Sequence, residues 1–289
     1  MRLASWRWGG RDHVGTLDAD AREATPLAVA DAALGALGLI QRLARGEPLP
    51  AAAGPRLPVS AITLRAPLPR PLRSLFCVGR NYRAHAAELA GSVFREQRDD
   101  GWPMVFAKLA ECVVGPHDVV RLPGAAVSEQ IDYESELALV IGRGGRDIPH
   151  SRALDHVFGY TLVNDVTARD VQMRHQQWDL GKSFDTFCPM GPCIVGADEL
   201  DARDVRIRGW VNGEPRQDAR TADLIFDIPT LIETCSRGIT LYPGDVIATG
   251  TPAGVGMGMS PPRWLGHGDV VRIEVEGLGA IQNRFELDA

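Results

Sequence analysis

Apolar and polar residues in this chain alternate more often than apolar residues recur three or four apart. The opening runs RLASWRW and HVGTLD alternate in this way and predict two short strands. Further strands are expected at SLFCVG, MVFAKLA, LALVIG, VFGYTLVNDV, GDVIATG and VVRIEVEGLGAIQNRFEL. In VRIRGWVNGEPRQ, Asn212-Gly213 separates two alternating runs and predicts a tight hairpin. Helical spacing is rarer. PLAVADAALGALGLIQRLAR, residues 26–45, predicts a helix with Thr25 as N-cap and Pro26 in its first turn. YRAHAAELAG predicts a short helix stopped by Gly91, and TARDVQMRHQQW a second one. Residues 92–103 are polar and mixed and predict a loop. GEPLPAAAGPRLP reads as a linker. A division is therefore placed near residue 70, giving a small N-terminal part, 1–70, and a main part, 71–289.

Composition sharpens this outline. Among 289 residues there are 31 Gly and 20 Pro, often between short apolar runs, which favours a loop-rich, strand-rich protein over a helical bundle. The net charge of −6, with no basic stripe, argues against nucleic acid as a partner. A small organic substrate fits better, met by local Arg or Lys if it is anionic. The five cysteines form no C-x-x-C pair, so neither a zinc site nor a disulfide framework is expected. Free thiols fit a cytoplasmic location. MRLASWRWGG lacks the apolar core of a signal peptide, and no apolar run reaches the ~18 residues of a membrane span.

Several side chains could carry chemistry. In DYESELALVIG, Asp132, Glu134 and Glu136 lie two apart, on one face if the whole stretch is a strand. They read either as a solvated acidic edge or as ligands of a hard divalent cation. Asp165, at the end of the VFGYTLVNDV run, reads as a helix cap or as a further ligand. His85 and Glu88, three apart on a helical face, form a surface link or an oriented general base. Lys182 lies in a Gly-flanked turn, where a surface charge is the plain reading. The Gly-rich YPGDVIATGTPAGVG could offer backbone N–H groups to an oxyanion. His175 and Asp179 are spaced like a metal pair but read as a polar helix face. Arg95 and Arg98 could meet a second substrate carboxylate, though a solvated loop is the simpler reading.

The order of VGRNYRAHAAE, DYESELALVIG, GYTLVNDVTARDVQ, GKSFDTFCPMGP, VNGE and YPGDVIATGTPAGVG resembles the fumarylacetoacetate hydrolase family from about residue 72 onward. The likeness is to its domain-containing-protein-2-like and 2-hydroxyhepta-2,4-diene-1,7-dioate isomerase-like branch. The resemblance implies an α+β, mainly β fold: a mixed β-sandwich roll with few helices beside a small N-terminal α/β domain, usually in a homodimer. It implies Mg²⁺ or Mn²⁺ held by Glu134, Glu136 and Asp165, with Asp132 outside the ligand set. It makes His85 and Glu88 a water-activating pair on a mobile lid, and Lys182 a contact to substrate oxygens. Arg80, Gln172 and Thr251 match positions near a bound small anionic 2-oxo acid. The expected activity is metal-dependent hydrolysis of a C–C bond in an acylpyruvate. Isomerisation of a 2-hydroxy-diene dioate or decarboxylation of oxaloacetate is the alternative, and a non-catalytic binding protein the minor one.

Overall fold

The computed structural model describes residues 1–88, 101–174 and 177–287. Gly91, Arg95, Arg98, most of the 92–103 loop and His175 lie outside the described residues.

Two β-sheets face each other. Ten strands of the larger sheet run, in spatial order, Leu57–Pro58, Glu23–Pro26, Arg11–Leu17, Arg2–Trp8, Cys188–Gly196, Val157–Asn164, Ser135–Ile141, Val246–Ala248, Leu75–Gly79 and Met104–Lys108. Thr63–Arg65 pairs with Arg2–Trp8, and Val113–Val114 with Cys188–Gly196. The N-terminal strands join this sheet through Arg2 and Leu3, opposite Val195 and Ile194. The smaller sheet runs Glu214–Arg220, Arg206–Val211, Val270–Val275, Gly279–Leu287 and Val120–Leu122. Most strand pairs are antiparallel, but Val246–Ala248 pairs in parallel with Leu75–Gly79. Helices are few and short, which gives the α+β, mainly β architecture expected from the family resemblance. No described helix is long and apolar enough to cross a membrane.

Ser135–Ile141 is buried along its whole length. It lies between Val157–Asn164 and Val246–Ala248 with the second sheet over it, so a continuous apolar run replaces alternation there. The sheets approach closely where Gly209 meets Ser135, since a Cβ on Gly209 would lie 2.5 Å from the serine Oγ. The Asn212-Gly213 hairpin forms as expected, with φ of 53° and 79°.

Two helix expectations are corrected. The 26–45 helix shrinks to α1, Leu37–Ala44. Thr25 and Pro26 instead pair with Thr16 and Gly15, because strand pairing offers those backbone groups partners that a helix end would not. A 3₁₀ turn at Ala32–Leu34 follows, and Gly35 leaves it at φ 62°. In TARDVQMRHQQW, Thr167 and Ala168 pair with Asp132 and Ile131, so the helix starts only at Arg169.

Three further helices frame the site: α2, Arg83–Glu88; α3, Arg169–Arg174; and α4, Asp179–Lys182. The last, α5, Ile228–Ser236, packs against the 3₁₀ segment His150–His156. Asn81 fixes the entry to α2. Its fully buried amide donates to Phe226 O at 3.0 Å and Thr249 O at 2.8 Å, and accepts from Phe226 N at 2.8 Å. Asn81→Ala strands these three backbone groups, so urea unfolding should show a loss of about 2–4 kcal/mol.

Candidate active site

The acidic stretch does not form one continuous strand. Ile131–Asp132 pairs with Thr167–Ala168, and the long strand begins only at Ser135. The break lies at Tyr133 and Glu134. There Glu134 N donates to Asn164 Oδ1 at 3.0 Å, and Asp165 N donates to Glu134 O at 2.9 Å. These bonds bring the ends of two neighbouring strands together. Oxygens of Glu134, Glu136 and Asp165 then lie within 4.8 Å of one another, all buried. The solvated-edge reading is thereby excluded, and so is a cap role for Asp165.

Asp132 points elsewhere. Its carboxylate accepts from Gly256 N at 2.7 Å, Met257 N at 3.0 Å and Arg169 Nε at 2.9 Å. The Gly-rich loop therefore spends its amides on the chain's own acids: Gly250 N donates to Glu136 at 2.9 Å, and Gly254 N to Glu88 at 2.9 Å. These amides are therefore engaged by the chain's own acids rather than offered to a substrate oxyanion.

Three buried cations surround the acids. Lys182 is not a surface charge: its Nζ lies 2.8 Å from Glu134 Oε2 and 2.7 Å from Asp165 Oδ2. Lys108 Nζ lies 2.8 Å from Asp165 Oδ1 and donates to the carbonyls of Val166, at 3.0 Å, and Lys182. Arg169 bridges Asp132 and Glu134 at 2.9 and 2.7 Å. Sequence reasoning missed Lys108 and Arg169. The available signal was a lone lysine in the apolar run MVFAKLA.

With all four acids ionised, the charges do not balance. Asp132, Glu134, Glu136 and Asp165 face Lys108, Lys182 and Arg169, and Glu136 has no ion pair among the described residues. Burial, then the charges of Asp165 and Glu134, raise its carboxyl well above the usual carboxylate range. Burial also opposes ionisation of Glu134, but Lys182 and Arg169 overcome it and hold its pKa at about 2. Burial opposes the charge on Lys108 too, yet Asp165 keeps its pKa above the ordinary lysine range. A cluster of hard oxygen donors, one of them with its ionisation opposed by burial and neighbouring charge, fits a hard divalent cation.

His85 is buried, with Nδ1 3.0 Å from Glu88 Oε2, while Glu88 Oε1 is held by Gly254 N. If Nδ1–H is donated to Glu88, Nε2 is left as the basic nitrogen. His85, Arg80, Glu134, Gln172, Lys182 and Thr251 line one small pocket together with Val78, Gly79, Phe106, Arg169 and Trp178. The sequence-identified residues therefore converge, apart from Glu88, Glu136 and Asp165, which stand behind the lining. Arg80 has a φ of 54°, rare for a residue with a side chain, and burial lowers its pKa. Thr251 Oγ1 accepts from Gln217 Nε2 at 2.8 Å and donates to Ser135 O at 3.1 Å, tying the pocket wall to the start of the central strand.

A pH signature follows. Because the folded-state pKa of Glu136 is raised, its contribution to stability is full below the ordinary carboxylate value and is lost as pH rises. Glu134 has the opposite sign, but its window lies lower, from 4.5 down to about 2. With a chelator present, the melting temperature should fall as pH rises above the ordinary carboxylate value. Mn²⁺ at 100-fold its Kd should restore about 5–10 °C, more at high pH than at low. Glu136→Gln should flatten the chelator slope and remove most of that gain; calorimetric melts at several pH values check both.

Residues 74–286 match the family model described as fumarylacetoacetate (FAA) hydrolase C-terminal. Oxaloacetate tautomerase YisK of Bacillus subtilis (strain 168) is 46% identical over 228 residues, which span 78% of this chain and 74% of that protein. A solved fumarylacetoacetate hydrolase from psychrophilic Exiguobacterium antarcticum superposes with a TM-score of 0.85 at 40% identity, covering 100% of both chains. A 2-hydroxyhepta-2,4-diene-1,7-dioate isomerase from Mycobacterium marinum gives 0.79 at 32% identity, covering 100% of this chain and 99% of the other. With residues 74–286 matched and the buried acids in place, the chain belongs to the fumarylacetoacetate hydrolase family.

Proposed function

We propose that this chain is a divalent-metal-dependent isomerase of small anionic 2-oxo acids, moving a proton between carbon and oxygen of a keto–enol pair. The observation that carries this reading is the placement of His85: one oriented imidazole base faces the same small pocket as a carboxylate cluster short of a cation. The tautomerase and isomerase named above support isomerisation over hydrolysis.

Glu134, Glu136 and Asp165 would hold Mg²⁺ or Mn²⁺, which supplies Lewis-acid polarisation of the substrate carbonyl. With all four buried acids ionised against three buried cations the cluster would stand at −1, and a divalent ion would bring it to +1, which favours an anionic ligand. Arg80 adds positive charge along the pocket wall, which Lys182 also lines. His85 takes the proton from the carbon next to the carbonyl. The C–H electrons form the new C=C bond as the carbonyl pair moves onto oxygen. His85 returns the proton to that oxygen, so the isomerisation needs no co-reactant. Glu88 stabilises the transient imidazolium and fixes the ring, itself held by the Gly254 amide.

The same His85–Glu88 pair supports a second reading, in which it deprotonates a water that cleaves an acylpyruvate. Incubation with Mn²⁺ and oxaloacetate in deuterated water separates the two. Proton NMR should show accelerated exchange at C3 without pyruvate release, abolished by chelator. His85→Ala should lower that rate by about 10²–10⁴-fold and leave Mn²⁺ affinity within about twofold. Rapid release of pyruvate from an acylpyruvate, with no C3 exchange, would replace isomerisation by hydrolysis.

A further inference from the structure

Lys182 stands where the acid cluster meets the pocket. Its Nζ donates to Glu134 Oε2 at 2.8 Å and to Asp165 Oδ2 at 2.7 Å. The other oxygen of each acid belongs to a different cation: Glu134 Oε1 to Arg169 and Asp165 Oδ1 to Lys108. Among the described residues, Lys182 is thus the one cation that bridges two members of the Glu134, Glu136 and Asp165 set. A divalent ion held by that set must bridge the same two side chains. Oxygens of all three acids lie within 4.8 Å of one another, so an ion among them and an ammonium bridging them would repel at close range. Of the three cations, Lys182 is the one free to yield. Arg169 is also tied to Asp132, and Lys108 to two carbonyls. Lys182 Nζ has the two acids and the face of Phe106, 5.1 Å from the ring centroid. Its backbone is fixed, since Lys182 N donates to Trp178 O at 3.1 Å and Lys182 O accepts from Lys108 Nζ. Only the side chain can turn, and it lines the pocket.

We propose that a divalent ion displaces the Lys182 ammonium from Glu134 and Asp165 and turns it into the pocket, so that loading the metal creates the anion-binding group. The inference rests on the metal-dependent reading given above. While Lys182 bridges the two acids, its charge is spent on them. Once displaced it loses both carboxylates, yet its side chain is only 2% exposed. A buried charge without a partner is costly. An anionic oxygen in the pocket, such as the carboxylate of a 2-oxo acid, supplies that partner. Metal and anion therefore bind in order, and each strengthens the other.

Calorimetry and crystallography test the proposal without requiring turnover. Lys182→Met removes the competing ammonium, so Mn²⁺ should bind about tenfold or more tighter than to the wild type. Oxalate should bind the Mn²⁺-loaded variant about tenfold or more weaker, because its lysine partner is gone. Lys182→Gln, which keeps a hydrogen-bond donor beside the acids, should shift both affinities the same way and guards against a folding failure in the methionine variant. Unchanged or weaker Mn²⁺ binding by both variants would overturn the displacement. Wild-type crystals holding Mn²⁺ and oxalate should show Lys182 Nζ beyond hydrogen-bond distance of Glu134 Oε2 and Asp165 Oδ2 and in contact with oxalate. An ammonium still bridging both oxygens beside the bound ion would overturn the displacement and leave the metal site standing. Failure of Mn²⁺ to bind the wild type and both variants would overturn the metal reading and the displacement together.

Discussion

The structure depends on one electrostatic constraint: four carboxylates are buried against three fixed cations. Buried charge is tolerated only when it is paired and hydrogen-bonded. Asp132 is satisfied by Arg169 and two backbone amides, Asp165 by two lysines, and Glu134 by Lys182 and Arg169. Glu136 receives an amide from Gly250 but, among the described residues, no cation. A divalent cation held by Glu134, Glu136 and Asp165 would offset that imbalance.

The fold delivers this constraint with backbone rather than with flexible side chains. Glu134 and Asp165 are fixed by hydrogen bonds between the ends of neighbouring strands, and Glu136 lies inside a fully buried strand. The loop after Val246–Ala248 then uses its amides to hold Glu136, Glu88 and Asp132 at once. One glycine-rich segment thereby links the metal cluster to the His85–Glu88 pair. The tight approach explains its composition: Gly254 has a φ of 105° and would place a Cβ 1.9 Å from Arg216 O, and a Cβ on Gly258 would lie 2.2 Å from Glu88 Oε1.

Local signals revealed local structure. The alternating runs became strands, and Asn212-Gly213 became the hairpin, because both patterns depend only on neighbours. The pairing of His85 with Glu88 was legible for the same reason, since a helix brings residues three apart together. Thr25-Pro26 misled because the preceding strand, Arg11–Leu17, claimed its backbone in a hairpin. Family resemblance selected Glu134, Glu136 and Asp165, which the structure brings together; spacing alone also offered Asp132, which the chain break at Tyr133 sends to Arg169 and the glycine loop. Lys108 escaped notice because a lysine at the end of an apolar run looks like a strand terminus in sequence. Only the fold shows that Asp165 waits beside it.

The central claim is that Glu134, Glu136 and Asp165 together form the seat of a divalent ion. Crystals grown with Mn²⁺ and measured at the manganese absorption edge test it most directly. The account predicts one strong anomalous peak per chain, within coordinating distance of oxygens from all three side chains. A peak elsewhere, or an empty cluster at saturating Mn²⁺ and neutral pH, would contradict it.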